Sequence, residues 1–545
     1  SNVFLGDYAG SCMCNGSDSI AIGSEALLGS GTVSDNSGTV NIAIGKEAGK
    51  SITTGGCNII LGCKAAFGIT TGAWNTIFGR TAGRCLTTQN FNAYFGTDAG
   101  KRMRGAHNIA LGALSMEGSS TASNNTGGCN IAIGKGAGEG LTTGGNNIFM
   151  GKCAGECNTS GATNIFLGTC AGKDTTIGSF NFFGGYKAAE GNIGGACNVY
   201  IGNQVGYAAT GGEQNIALGQ KSAYNNSTGS YNISFGTCAS YSLTSGSQNI
   251  VLGKLAMDCA AVTGDNNIAL GTNSSKCMTS GSNNIALGTG SLQCCMSVGL
   301  CNIAIGMFAG RKIQNDCNIA IGTCALFGSG GGIGYCNIAI GLRAGQKLTN
   351  GHANIFMGTC AGLHITGSGS ADGSYNIGFG REALGGSAAG GSTTGNFNAV
   401  MGFYSGRKIS SGSNNTLMGR NTGCSITSGG SNTFLGLGSG KCVSTGSKNI
   451  AIGVNVTPPS DTGSCQIVIG VESSYWMVGN SDFNVGIGTT NPNAAVGVGN
   501  TAKLSVGIVS AYQLYGDGSN LSGVGFSPDA QGNLYAGTDA GKCSD

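Results

Sequence analysis

The chain has 545 residues, of which 105 are Gly and only 4 are Pro, and charged residues make up 9% of it. A conventional domain of this length would carry far more charge and more helix formers, and would divide into several cores. The formal net charge of +3 gives no electrostatic footprint for nucleic acid, and Gly, Asn, Ser or Thr interrupts every apolar run short of the roughly 18 residues a membrane span needs.

From the first residues a five-residue phrase recurs, beginning with NVFLG at Asn2 and ending with QIVIG at Gln466. It appears as NIILG (Asn58), NTIFG (Asn75), NAYFG (Asn92), NIFLG (Asn164), NVYIG (Asn198), NIALG (Asn215) and NTFLG (Asn432). There are 27 phrases and 26 intervals: 17 intervals are 17 residues long, 4 are 22, and 5 lie between 16 and 19. Repetition at this period reads as a solenoid of stacked coils. The long intervals follow Ser19, Asn108, Asn354 and Asn376, and each adds a Ser, Gly, Thr and Asn-rich loop that fits one edge of a coil.

Numbered from the Asn, the consensus is N-I-A-I-G-x-x-A-G-x-x-[LI]-T-[TS]-G-x-x. Ile at the second and fourth positions alternates with a small residue at the third, which predicts a short half-buried strand. Leu or Ile at the twelfth position, as in Ile52, Leu86, Leu141, Leu243, Ile409 and Ile426, followed by T-[TS]-G, predicts a second short strand and its turn. Gly at the fifth, ninth and fifteenth positions suits positive φ or close backbone approach. The expected fold is therefore all-β: a parallel β-roll or β-solenoid of about 17-residue coils. Bulky residues at the third and fourth positions (Phe149, Met150, Phe166, Tyr200, Phe356, Met357) predict that both strand faces are partly buried. Stacked Asn amides at the first position would form a hydrogen-bonded ladder.

Residues 1–470 read as the repetitive shaft, and residues 471–532 as a small β module with a hairpin turn at Gly516–Gly518. Residues 533–545 restart the repeat, because NLYAGTDAGK at Asn533 nearly repeats NAYFGTDAGK at Asn92. The opening SNVFLGDYAG has no signal-peptide pattern and enters in mid-repeat; with both ends inside a repeat, the expectation is an excerpt of a longer fibre or a subunit whose ends stack on something else.

The 24 cysteines fall into columns. Cys301, Cys317 and Cys336 occupy the seventeenth position of three successive coils, Cys259, Cys277 and Cys294 the eleventh, and Cys153 and Cys170 the seventh. Coils about 4.8 Å apart bring stacked Cα atoms into disulfide range, though parallel Cβ vectors fit the bond imperfectly. Unpaired packed thiols and disulfides between coils or chains are the competing readings. A metal site is disfavoured by the lack of repeated C-x-x-C pairs and by only three His. The seventeenth position also holds Trp74, Phe91, Tyr231, Tyr375 and Phe397, a column that reads as a groove or interchain seam, with glycan stacking as the functional alternative.

No catalytic constellation survives scrutiny. No βαβ context follows GKGAGEG at Gly134, and carboxylates are sparse. Neither an enzymatic activity nor a cofactor is expected.

The NIAIG-x-x-AG phrases resemble the head repeats of trimeric autotransporter adhesins, the YadA-like head. Together with NVGIGTTNP at Asn484 and GDGSNLSG at Gly516, they are more similar still to tail-fibre proteins of bacteriophages, particularly those of marine cyanobacteria. That resemblance implies a homotrimeric fibre on a virion, facing outward and contributing to host attachment. Its implied partners are two further copies of the chain, baseplate or other fibre proteins, and a host surface glycan or protein receptor. The alternative is a secreted or cell-surface filament that polymerises end to end.

Overall fold

The computed structural model describes residues 1–506 apart from 14, 260, 294–298, 329–331, 367–372, 387–393, 489, 491 and 493–503. Twenty-seven short strands, β1 (Val3–Leu5) to β27 (Ile467–Val471), fall one on each phrase among these residues. Each pairs in parallel with the next in unbroken register, as where Ile42, Ala43 and Ile44 meet Ile59, Ile60 and Leu61. The chain is thus a parallel β-solenoid with one strand per coil. The two single turns of 3-10 helix among the described residues, Val33–Asp35 and Ala122–Asn124, sit in 22-residue coils and leave the strand register untouched.

Among the described residues only one of the two expected strands per coil forms. At the twelfth position the described residues show isolated bridges, Leu243 with Val262 and Ile313 with Ile333. Coil-to-coil bonds such as Thr53 N–H to Thr70 O (3.0 Å) persist there. The stretch is bounded by a left-handed residue at the ninth position and a bend at the thirteenth and fourteenth, which leaves too few extended residues for a ladder.

Both strand faces are at least partly buried, but unequally. The third position faces inward: Ala110 is fully buried, whereas its neighbours Ile109 and Leu111 are 42% and 46% exposed. The same holds along the column, from Ala43 and Ile60 to Tyr94, Phe166 and Tyr200 at the third position. A coil of this size has room for one layer of side chains between its walls. That layer comes from the third, eighth and twelfth positions, and the larger Ile pair is left outside.

The Asn column is inside the coil and fully bonded. Asn41 Oδ1 accepts from the backbone N–H of Asn58 (3.1 Å) and from its side-chain amide (3.0 Å). Asn58 Nδ2 also donates to Gly72 O at 2.9 Å, tying the start of the coil to its end. The Gly at the fifth position is dictated by conformation and contact together: Gly45 has φ 132°, and a Cβ on it would lie 2.7 Å from the carbonyl carbon of Gly62.

After β27 the pairing changes from parallel to antiparallel. Strand β28 (Ser474–Gly479) runs back along β27 with a bulge at Ile469/Gly470, and β29 (Val485–Ile487) pairs antiparallel with β28. Strand β30 (Leu504–Val506) lies parallel to β29. The expected turn at Gly516–Gly518 and the renewed repeat at 533–545 lie outside the described residues.

Candidate functional surface

With the interior filled by packing residues, any function belongs to the outward columns. The first is the strand face itself. Residues at the second and fourth positions are mainly Ile, Leu, Phe and Met, half-exposed on coil after coil, for example Ile59, Met150, Ile165, Ile216, Phe235, Ile250, Met357 and Met418. At on the order of 100 Å² of apolar surface per coil, the strip far exceeds the few hundred Å² a soluble monomer ordinarily exposes.

Beside it runs the seventeenth-position column. Its residues are held in the left-handed region although few are Gly or Asn: Trp74 and Phe91 have φ 61°, Cys317 60° and Tyr231 60°. The side chains project outward, with Trp74 59%, Tyr231 54% and Phe397 56% exposed. Trp74, Phe91 and His107 stack in sequence at centroid distances of 6.4 and 5.1 Å, and Tyr375 stacks on Phe397 at 4.9 Å. Stacking along the coil axis turns ring faces toward one another and leaves mainly ring edges for a ligand. A second aromatic ladder, Tyr207, Tyr224 and Tyr241, occupies the tenth position, with Lys187 and Lys221 over its rings.

Cys301, Cys317 and Cys336 stand exposed on adjacent coils and carry free thiols. Desolvation, with the neighbouring Cys336 and Cys301, pushes the Cys317 thiol above its ordinary range. Cys153, stacked next to Cys170, is half-buried; burial and the adjacent Glu156 push its thiol up to about 11. Both shifts lower the thiolate fraction, which slows nucleophilic and oxidative chemistry. Cys259 packs against the apolar core and Cys277 is half-buried beside it in the column, whereas Cys294 lies outside the described residues. Among the described residues no three His, Cys, Asp or Glu side chains are placed to hold a metal ion, and no helix is long and apolar enough to cross a membrane.

The corner after the strand, formed by the sixth, seventh and tenth positions, carries most of the charge. In the first coils it is neutralised: Lys64 reaches Glu47 at 3.4 Å, Lys101 reaches Asp98 and Glu117 at 3.3 Å each, and Arg102 reaches Glu117 at 2.8 Å. Further along, Arg381, Phe403 and Arg420 occupy the sixth position of three successive coils, with Tyr404 and Arg407 beside them. This cluster was not anticipated from the sequence, although its separations of 22 and 17 residues are the coil lengths and signal the stacking. Near β28, an open depression of about 490 Å³ is lined by Ser473, Ser474, Tyr475, Trp476, Gly488 and Thr490.

No family model matches the chain, and no curated protein matches it.

Proposed function

We propose that the chain is the shaft of a homotrimeric fibre that projects from a virion and contributes to host-cell attachment. The observation that carries this reading is the outward apolar strand face. Two columns of half-exposed Ile, Leu, Phe and Met run the length of the stack, with Ala110 between Ile109 and Leu111 as the inward residue. A face of this kind is costly in water and is relieved by association. Because it is uniform along the chain, the partner that fits it at every coil is a second copy in the same register. Three copies around an axis would cover each face, as the resemblance to phage tail fibres and adhesin heads implies. Parallel pairing at every coil makes the shaft a sum of nearest-neighbour interfaces, suited to mechanical reach.

The intact mass of the purified assembly, measured with and without reductant, tests the oligomer, and electron microscopy of particles tests the location. Three chains under both conditions are expected, and a monomer under both would sink the proposal. Ile216→Lys with Ile250→Lys should dissociate the assembly while leaving the coils folded, since both side chains point outward.

A further inference from the structure

We infer that the corner built from Arg381, Phe403, Tyr404, Arg407 and Arg420 is a binding site for an oxyanion-bearing polysaccharide, such as a chain of uronate or sulfated sugars. The inference rests on the attachment reading above and names the ligand class.

Charge is distributed unevenly along the shaft. Residues 1–190 hold twelve Lys or Arg against eleven Asp or Glu, a near balance that the ion pairs of the first coils reflect. Residues 373–460 hold six Lys or Arg against a single acid, Glu382. The surplus is concentrated on one corner. Arg381, Arg407 and Arg420 are all exposed there, and Lys408 is exposed at the adjoining eleventh position.

Aromatic rings order these cations. The Phe403 and Tyr404 rings lie 4.0 Å apart between centroids. Arg381 sits 5.6 Å from Phe403, Arg420 sits 5.7 Å from the same ring, and Arg407 sits 4.6 Å from Tyr404. Glu382 accepts from Arg407 Nε at 2.9 Å and lies 3.8 Å from Arg381 Nε, so one carboxylate orients two guanidinium groups without neutralising the cluster. Arg420 and Lys408 have no carboxylate partner among the described residues.

Guanidinium forks held on ring faces are pre-organised donors for carboxylate, phosphate or sulfate oxygens. The aromatic pair between them has its faces taken up by the guanidinium groups and by each other, so the rings fix the cations in place and the cations make the contact. Arg381 and Arg420 are two coils apart, roughly 9.6 Å at the usual strand spacing, so the corner presents repeated cations to a ligand whose charges also repeat. Duplex DNA would be drawn by the same charge, but a chain of net charge +3 offers no wider basic surface to track a phosphate backbone, which favours the saccharide.

The test is binding of the full-length chain to polygalacturonate, dextran sulfate and neutral dextran, by interferometry at physiological salt. Retention of at least one acidic polymer and none of the neutral one is expected, the responding polymer telling uronate from sulfate. Arg407→Ala with Arg420→Ala should weaken that binding about tenfold. Lys46→Ala with Lys152→Ala, which removes the same charge from exposed sites elsewhere, should leave it unchanged. Glu382→Gln should strengthen binding, a gain that no loss of folding can mimic. Absence of acidic-polymer binding, equal losses in both double variants, or duplex DNA binding as tightly as the polysaccharide would each overturn the site. A trimer that fails to bind removes this inference alone, whereas a monomer that binds removes only the fibre.

Discussion

Phe166 occupies the space that Gly172 leaves open: a Cβ built on Gly172 would stand 2.6 Å from the Phe166 ring. The pairing recurs within single coils, where Tyr200 faces Gly206 and Phe356 faces Gly362. A large side chain at the third position therefore usually meets Gly at the ninth, where the backbone is also left-handed (φ 55° at Gly172); Phe183 with Ala189 is the exception among the Phe and Tyr of this column. Gly172→Ala should cost about 1–3 kcal/mol locally through overpacking and strain. Phe166→Leu should recover part of that loss in the double variant. Hydrogen exchange at the coil is the suitable readout, since a long repeat array does not unfold as two states.

The Asn ladder makes a second expectation. Asn58 Oδ1 accepts from both the backbone and the side chain of Asn75, at 3.0 Å each. Asn58→Ala would leave a buried backbone N–H and the Gly72 carbonyl without these partners, a loss of about 1–3 kcal/mol. Faster amide exchange at Asn75 than at Asn147, whose own acceptor is Asn130, would be the local signature.

Asn158 is the reverse case. Its side chain is buried, and neither amide atom has a hydrogen-bond partner, whereas Asn192 at the same position bonds twice to Gly195 at 3.1 Å. Coils with Phe at the third position accommodate Val or Ile at the twelfth, as Phe434 does with Val443 and Phe356 with Ile365. Asn158→Val should stabilise the coil by about 1–3 kcal/mol, seen as slower exchange around Phe149. No change or a loss would show that the amide is satisfied in solution.

Glu117, Glu139 and Glu156 stack at the tenth position of successive coils. Burial, followed by the charges of Glu156 and Glu117, holds the Glu139 carboxyl above its ordinary value. An acid raised in the folded state binds its proton more tightly there than when unfolded, so it destabilises as pH rises through that folded value. Glu139→Gln should therefore stabilise at neutral pH by a few tenths of a kcal/mol, and the difference should vanish on acidification through the carboxylate range. Hydrogen exchange around Glu139 in the parent and the variant, compared at pH 7 and at pH 3.5, checks both signs.

The phrase and its 17-residue return determined the fold class, the single strand per phrase and the Asn ladder, because stacking identical units repeats each contact in register. Alternation of Ile with Ala could show only that the two strand faces differ. Which face is buried was decided by the thickness of the coil, which admits one layer of side chains and puts Ala110 inside and Ile109 outside. The expected second strand failed for a similar reason, since the left-handed ninth residue and the bend after the twelfth are set by closure of the coil. Cysteine and aromatic columns were legible as spacing, but not that the Trp74, Phe91 and His107 rings turn their faces to one another. The meeting of Arg381, Phe403 and Arg420 lay furthest from the sequence, because it depends on coils of unequal length, 22 and 17 residues, keeping the same strand register.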